Sequence, residues 1–194
     1  MSIDELRDVL LVVDVIDDFQ HENGDTLLAA FRARQEGMRH ALETARSAGT
    51  PVIYANDNRG VWDGDRDRLV REALVSASGD VVGPLRPRAG ERFVIKPRYS
   101  AFDLTPLSLL LRSLEAERLV LMGATTEMCV TQTAIDARER DYKVTVLEDA
   151  CAGIDRELGR VALAYLREVT GTFVVPAAHW LPGHARRFVR QAPT

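Results

Sequence analysis

The sequence predicts an α/β fold, a three-layer sandwich in which helices cover both faces of a six-stranded parallel β-sheet. Short apolar runs alternate with helical stretches along the chain, and each run is apolar nearly throughout rather than at every second position. A strand with one solvated face alternates in polarity, whereas a strand covered on both faces is apolar at successive positions. Because strand and helix alternate, we expect an open, doubly wound sheet with right-handed crossovers.

The predicted strands and helices follow from composition and from apolar spacing. The strands are residues 9–13, 52–55, 93–95, 119–122, 144–147 and 172–175. The first helix is long and ends at Gly49, next to Pro51. Its apolar stripe consists of Leu27, Leu28, Phe31, Met38, Leu42 and Ala45. Shorter helices are predicted over 69–75, 106–114, 130–140 and 158–169, and segments 56–67 and 77–92 are predicted to be loops.

Length and composition indicate one domain that acts on a small molecule. The 194 residues, 46% of them hydrophobic, fit a single domain over 1–194, with a core at about 8–175 and a basic C-terminal tail at 180–194. A net charge of -4 with dispersed basic residues gives no footprint for nucleic acid or an anionic membrane. No export signal or membrane span is evident, and two cysteines are too few for a disulfide framework, so we expect a cytoplasmic protein.

Three chemically active side chains follow predicted strands. Asp14 comes directly after the first strand, Lys96 after the third, and segment 123–129, which ends in Cys129, after the fourth. In open parallel sheets, ligands bind beyond the carboxyl ends of the strands, where the winding reverses. A solvated strand end or a structural ion pair is the alternative for any one of them. Their coincidence predicts an acid, a base and a thiol in one site.

This combination predicts covalent hydrolysis. Cys129 begins a predicted helix, whose unpaired N–H groups favour a thiolate, and the ammonium of Lys96 acts in the same direction. Asp14 is expected to accept the thiol proton and to pass it later to a leaving amine. The backbone N–H groups of Thr125 and Cys129 are placed to bind the oxyanion. A thioester intermediate, released by water, follows from these roles.

Three segments carry a resemblance to a known family: 11–19 (LVVDVIDDF), 96–102 (KPRYSAF) and 123–134 (GATTEMCVTQTA). Together they resemble the isochorismatase-like hydrolases, which include nicotinamidases, N-carbamoylsarcosine amidohydrolases, ureidoacrylate hydrolases and isochorismatases. The resemblance spans about 8–175. It implies a catalytic triad of Asp14, Lys96 and Cys129, the sheet order 3-2-1-4-5-6, a cis peptide before Thr125 that turns its N–H into the oxyanion hole, and a homodimer or homotetramer.

Departures from the family narrow the expected chemistry. Nicotinamidases hold a metal with an Asp and two His residues just after the second strand, but the stretch 54–60 contains no histidine. We therefore expect no metal and no other cofactor. Ile16 and Asp17 stand where the family often has Gln and Asn. Isochorismatases proper cleave a vinyl ether without the thiol, so Cys129 favours hydrolysis of an amide, carbamoyl or ureido C–N bond.

Six further side chains are predicted substrate contacts, with core packing or a turn as the alternative reading: Phe19, Asp57, Trp62, Tyr99, Phe102 and Met128. Arg59 or Arg98 is a candidate clamp for a carboxylate. Cys151 is predicted to be structural, and the four histidines are assigned no chemistry. For the whole protein, two alternatives remain: a thiol-independent isochorismatase-type enzyme and a non-catalytic small-molecule binding module.

Overall fold

Six parallel strands form one sheet in the order β3-β2-β1-β4-β5-β6, which confirms the predicted topology. The computed structural model describes residues 6–61 and 64–184. The strands are β1 (Asp8–Val13), β2 (Val52–Asn56), β3 (Arg92–Ile95), β4 (Arg118–Ala124), β5 (Lys143–Ala152) and β6 (Phe173–Val175). The winding direction reverses between β1 and β4, which are hydrogen-bonded neighbours.

Helices cover both faces of the sheet, which explains why the strands are apolar at successive positions. The helices are α1 (Gly24–Ser47), α2 (Arg66–Val75), α3 (Gly79–Val82), α4 (Leu107–Ser113), α5 (Thr131–Glu139) and α6 (Arg156–Glu168). In β1, Leu10 and Val12 pack with α1 to α3, whereas Val9, Leu11 and Val13 pack with α4 to α6. Across the described parts of the chain, no helix has both the length and the apolar character needed to cross a bilayer.

Some boundaries differ from the prediction, each for a local reason. The predicted loop 77–92 contains α3 and a 3-10 turn at Gly83–Leu85. Glycine and proline in this segment obscured its periodicity, but Val81, Val82 and Leu85 are fully buried. Strand β5 extends five residues beyond the predicted end because small, buried residues continue its pairing with the end of β4 after a register shift.

A buried ion pair joins the amino ends of β1 and β4. Arg118 Nε and Nη2 lie 2.7 and 2.6 Å from the two carboxylate oxygens of Asp8. The Trp180 indole N–H and the Gly183 backbone N–H both donate to Asp8 Oδ2 at 3.1 Å. This pair therefore fastens 180–184, the beginning of the predicted tail, to the sheet, and 185–194 lie outside the described residues.

Removing one member of this pair is expected to destabilise the protein strongly. Asp8→Ala leaves a guanidinium in a site where the two side chains are only 8% and 2% exposed. We expect the free energy of unfolding to fall by about 3 to 5 kcal/mol, because an unpaired buried charge is costly. Urea denaturation followed by circular dichroism measures this change.

The control is Arg7→Ala, because the Arg7 side chain is 57% exposed and its ion pairs with Glu115 and Glu117 lie at the surface. This variant should lose less than about 1 kcal/mol. Equal losses in the Asp8 and Arg7 variants would contradict a special role for the buried pair.

Candidate active site

The carboxyl ends of β1, β3 and β4 bring the candidate catalytic residues to one edge of the sheet. Asp14 follows β1 with a positive φ of 47°, and its N–H donates to Ala55 O in β2 at 2.9 Å. Lys96 follows β3, and its N–H donates to Asn56 O at 3.0 Å. Cys129 lies in a π-helical turn, Thr126–Val130, that connects β4 to α5. The strand ends thus fix two of the side chains, and the turn fixes the third.

The ammonium of Lys96 links the acid and the thiol. Lys96 Nζ lies 2.6 Å from Asp14 Oδ2 and 3.6 Å from Cys129 Sγ, and it also donates to Arg98 O at 3.0 Å. The other carboxylate oxygen of Asp14 accepts the Asp57 N–H at 2.8 Å. Asp14 and Cys129 are also joined by a side-chain hydrogen bond, so the three residues singled out in the sequence are in mutual contact, and Lys96 is almost fully buried.

The electrostatics of the thiol differ from the sequence prediction. Burial raises the pKa of Cys129 to about 12, and the negative charge of Asp14 acts in the same direction. Lys96 and the Thr125 N–H oppose this rise but do not cancel it. The predicted thiolate is thus wrong for the resting site, because the sequence revealed the nearby ammonium but not the depth of burial. At rest, burial favours the thiol over the thiolate.

The surroundings of the carboxyl and ammonium groups also shift their pKa values. Burial raises the pKa of Asp14 above its ordinary value, and the charge and hydrogen bond of Lys96 offset only part of that effect. Burial lowers the pKa of Lys96, but the charges of Asp14 and Cys129 outweigh it and raise the pKa overall. Lys96 therefore stays an ammonium, while Asp14 gains affinity for a proton.

Two backbone features beside the thiol concern the predicted oxyanion hole. The peptide bond between Ala124 and Thr125 is cis. The Thr125 N–H forms a hydrogen bond with the Cys129 side chain, so it is directed towards the sulfur. The Thr125 carbonyl accepts the N–H groups of Met128 and Val130 at 3.2 and 3.1 Å, which closes the turn that carries Cys129. A backbone N–H donor therefore lies beside the Cys129 sulfur, as the predicted oxyanion hole requires.

A cavity of about 430 Å³ opens onto Asp14, Thr125 and Cys129. This volume is within the range of small-molecule sites. Its wall also includes Asp17, Asp18, His21, Asp57, Arg59 and Ile154. No group of three or more His, Cys, Asp or Glu side chains placed to hold a metal ion occurs within 6–61 and 64–184.

The predicted substrate contacts have different locations. Asp57 lines the cavity. Phe19 is 5% exposed and packs edge-on against Phe31, and Phe102 is 6% exposed and stacks on Tyr142, so both belong to the core and their predicted place in the pocket wall is corrected. Tyr99 and Met128 are exposed and do not line this cavity. Trp62 lies outside the described residues.

Asn56 is a supporting residue that the sequence reasoning missed. Its amide oxygen accepts the Ile16 N–H at 2.9 Å, and its amide nitrogen donates to Ile16 O at 3.0 Å and Asp57 O at 2.8 Å. These bonds connect the segment after β1 to the segment after β2, on either side of Asp14. A buried polar residue at the end of an apolar strand was the available signal.

Glu127 is a second residue that was missed, and it stands two residues before Cys129 in the sequence. Its Oε1 accepts the N–H groups of Ile154 at 2.8 Å and Asp155 at 3.3 Å. The π-helical turn is thereby tied to a residue of the cavity wall and to the start of α6.

Cys151, in contrast to Cys129, is buried in β5 and does not line this cavity, and burial raises its pKa to about 12.

A single parallel sheet with a site where its winding reverses defines a doubly wound α/β protein. The isochorismatase domain family matches residues 8–176, and the chain belongs to this family. It is 32% identical over 160 residues to the isochorismatase family protein YaaI of Bacillus subtilis, covering 82% of this chain and 88% of YaaI.

Two further relatives have activities in their names. The chain is 30% identical over 198 residues to the ureidoacrylate amidohydrolase RutB of Pantoea ananatis, covering 88% of this chain and 79% of that one. Its structure resembles that of N-carbamoylsarcosine amidase from Thermoplasma acidophilum with a TM-score of 0.71 at 30% identity, covering 90% of this chain and 99% of that one. These relatives are therefore an amidohydrolase and an amidase.

Proposed function

We propose that this protein hydrolyses a C–N bond of a small amide, carbamoyl or ureido compound through a cysteine thioester. The observation that carries the proposal is the position of Lys96 Nζ, 2.6 Å from Asp14 and 3.6 Å from Cys129, beside a cavity onto which both partners open. A nucleophile next to a base, with a third group holding the base, is the arrangement that covalent hydrolysis requires. The names of RutB and of the Thermoplasma amidase support the bond class.

The first half of the reaction forms the thioester. The substrate carbonyl carbon lies near Cys129 Sγ, and Asp14 takes the thiol proton as the sulfur attacks. Lys96 remains charged and stabilises the negative charge that moves from the carboxylate to the sulfur. The N–H groups of Thr125 and Cys129 hold the resulting oxyanion. The C–N bond then breaks, the nitrogen takes the proton from Asp14, and the acyl group stays on sulfur.

The second half releases the acid. A water molecule attacks the thioester carbonyl and gives one proton to Asp14, and the same N–H groups hold the second oxyanion. The C–S bond breaks, the acid leaves, and the proton on Asp14 returns to the sulfur. Because burial raises the pKa of Cys129, the thiol is favoured over the thiolate at the end of each cycle.

Trapping the intermediate tests this proposal. A Cys151→Ser protein has Cys129 as its single thiol, and the new hydroxyl can accept the Gly123 N–H that contacts the Cys151 sulfur. It is mixed with a panel of small amides, carbamoyl and ureido compounds and quenched in acid, and added hydroxylamine captures any acyl group that turns over quickly. We expect an acyl mass on the Cys129 peptide or a hydroxamate product.

The matched control is the same protein with Cys129→Ala, which should give neither the adduct nor the hydroxamate. Hydrolysis of a panel compound at an undiminished rate by this control would contradict a cysteine mechanism. Activity on isochorismate that survives alkylation of Cys129 would instead identify a thiol-independent vinyl ether hydrolase.

A further inference from the structure

The charges around the cavity restrict the kind of substrate that fits the proposed function. We infer that, if the protein is such a hydrolase, its substrate is an uncharged or cationic compound that carries no carboxylate group. The carboxylates of Asp14, Asp17, Asp18 and Asp57 line the cavity, whereas Arg59 is its one lysine or arginine among the described residues. With Lys96 behind Asp14, four carboxylates face two permanent cations.

Both cations are already engaged by carboxylates of the protein. Lys96 is bound to Asp14. Arg59 Nη2 lies 3.3 Å from Asp17 Oδ1, and Arg59 Nη1 forms an ion pair with Asp18. The side chains of Asp17 and Asp18 are 22% and 18% exposed and that of Arg59 is 36% exposed, so these pairs are only partly shielded from solvent.

The carboxylate clamp considered for Arg59 from the sequence would require a substrate to displace two aspartates from one guanidinium. Arg98, the other candidate, contributes its carbonyl oxygen to Lys96, and it does not line the cavity. His21 lines the cavity, but its Nε2 lies 3.5 Å from Asp17 Oδ2, so a protonated imidazole would also be paired. The described part of the site therefore offers no uncommitted cation to a carboxylate.

Asp57, in contrast, offers an acceptor to the substrate. Its Oδ1 accepts the Arg59 backbone N–H at 2.6 Å, and no side-chain cation within 6–61 and 64–184 forms an ion pair with it. Its own N–H holds Asp14, which places it beside the candidate nucleophile and base. A substrate N–H or ammonium can bind this carboxylate without breaking an ion pair of the protein.

The electrostatic effect is large enough to measure. Two like charges a few ångströms apart near a protein surface repel by an energy equivalent to a change of about tenfold or more in association. Since the cavity carries this excess of negative charge close to Cys129, reagents of opposite charge should reach the sulfur at different rates.

Charged thiol reagents test this without knowledge of the substrate. The Cys151→Ser protein is treated with cationic trimethylammonioethyl and anionic sulfonatoethyl methanethiosulfonate, and each rate is divided by the rate with free 2-mercaptoethanol. We expect the normalised rate of the cationic reagent to exceed that of the anionic one by about tenfold or more. Asp57→Asn should reduce this ratio about threefold or more.

The matched control is Glu139→Gln. Glu139 is exposed at the far end of α5, which begins beside Cys129, and ten helical residues correspond to about 15 Å. This variant removes the same charge as Asp57→Asn and should leave the ratio unchanged. A ratio of one or below, or a ratio unaffected by Asp57→Asn, would overturn the inference.

A second arm compares hydrolysis of succinamide, 4-aminobutanamide and succinamate, which share an amide and differ in charge. Whichever compounds are turned over, kcat/KM for succinamate should be lowest, and succinamate as the preferred compound would overturn the inference. That outcome leaves the thioester mechanism intact, since trapping on Cys129 is measured separately. If no acyl group could be trapped on Cys129, the thioester mechanism would be contradicted. The measured ratio of the two reagent rates would still describe the charge of the cavity.

Discussion

Cys129→Ala should lower kcat/KM by about 10⁴-fold or more while the protein remains folded. The substitution removes the sulfur that forms the thioester, and the remaining donors can only bind and polarise the substrate. Alanine fits where cysteine was half-buried, so circular dichroism and the urea midpoint should change little. Steady-state kinetics with any compound found to be a substrate measure the loss.

The control for this experiment is Cys151→Ser, the other thiol of the chain, which lies in β5 outside the cavity. Its kcat/KM should stay within about threefold of the parent. If Cys129→Ala kept most of its activity, or if Cys151→Ser lost activity to the same extent, the assignment of the nucleophile would be wrong.

Asp14→Asn should lower kcat/KM by about 10³-fold and remove the acidic limb of the pH profile. Asp14 must be ionised to accept the thiol proton, and burial raises its pKa above the ordinary value. Activity of the parent protein should therefore fall as the pH decreases through this raised pKa. Asparagine cannot accept the proton at any pH, so the residual activity of the variant should lack that fall.

A pH–rate profile from about pH 4 to pH 9 measures both effects. Glu139→Gln removes a carboxylate far from the site and should keep the profile of the parent. If Asp14→Asn kept the acidic limb, another group would be responsible for it, and Asp14 could not be the base.

The architecture was predictable because the burial of a strand determines which of its positions are apolar. Strands covered on both faces, such as β1, are apolar at successive positions, and a parallel sheet collects their carboxyl ends at one edge. Asp14 and Lys96 could therefore be placed near each other from their positions after strands. The length of β5 was not predictable, because Glu148 and Asp149 interrupt its apolar run, and the small residues 150–152 that follow continue the strand through pairing with Gly123 and Ala124.

Properties that depend on three-dimensional surroundings were predicted less well. The direction of the Cys129 pKa depends on how deeply the sulfur is buried, which spacing does not reveal. Phe19 and Phe102 follow strands as pocket residues do, but their rings turn into the core. Asn56 and Glu127 act through backbone groups distant in sequence, and even the position of Asn56 at the end of an apolar strand does not reveal those partners. The homodimer or homotetramer and the small-molecule partner stay predictions.

Lys96 follows β3, which is four residues long and pairs with β2 alone, so the ammonium is supplied by the border of the sheet. Asp14 and Cys129 come from its centre, where β1 and β4 each have two neighbours. Border strands open locally at a lower free energy than central ones. A fluctuation that frees β3 would thus separate the Lys96 ammonium from Asp14 and Cys129 while the rest of the molecule keeps its shape. The arrangement of the site is therefore lost at a lower free energy than the fold.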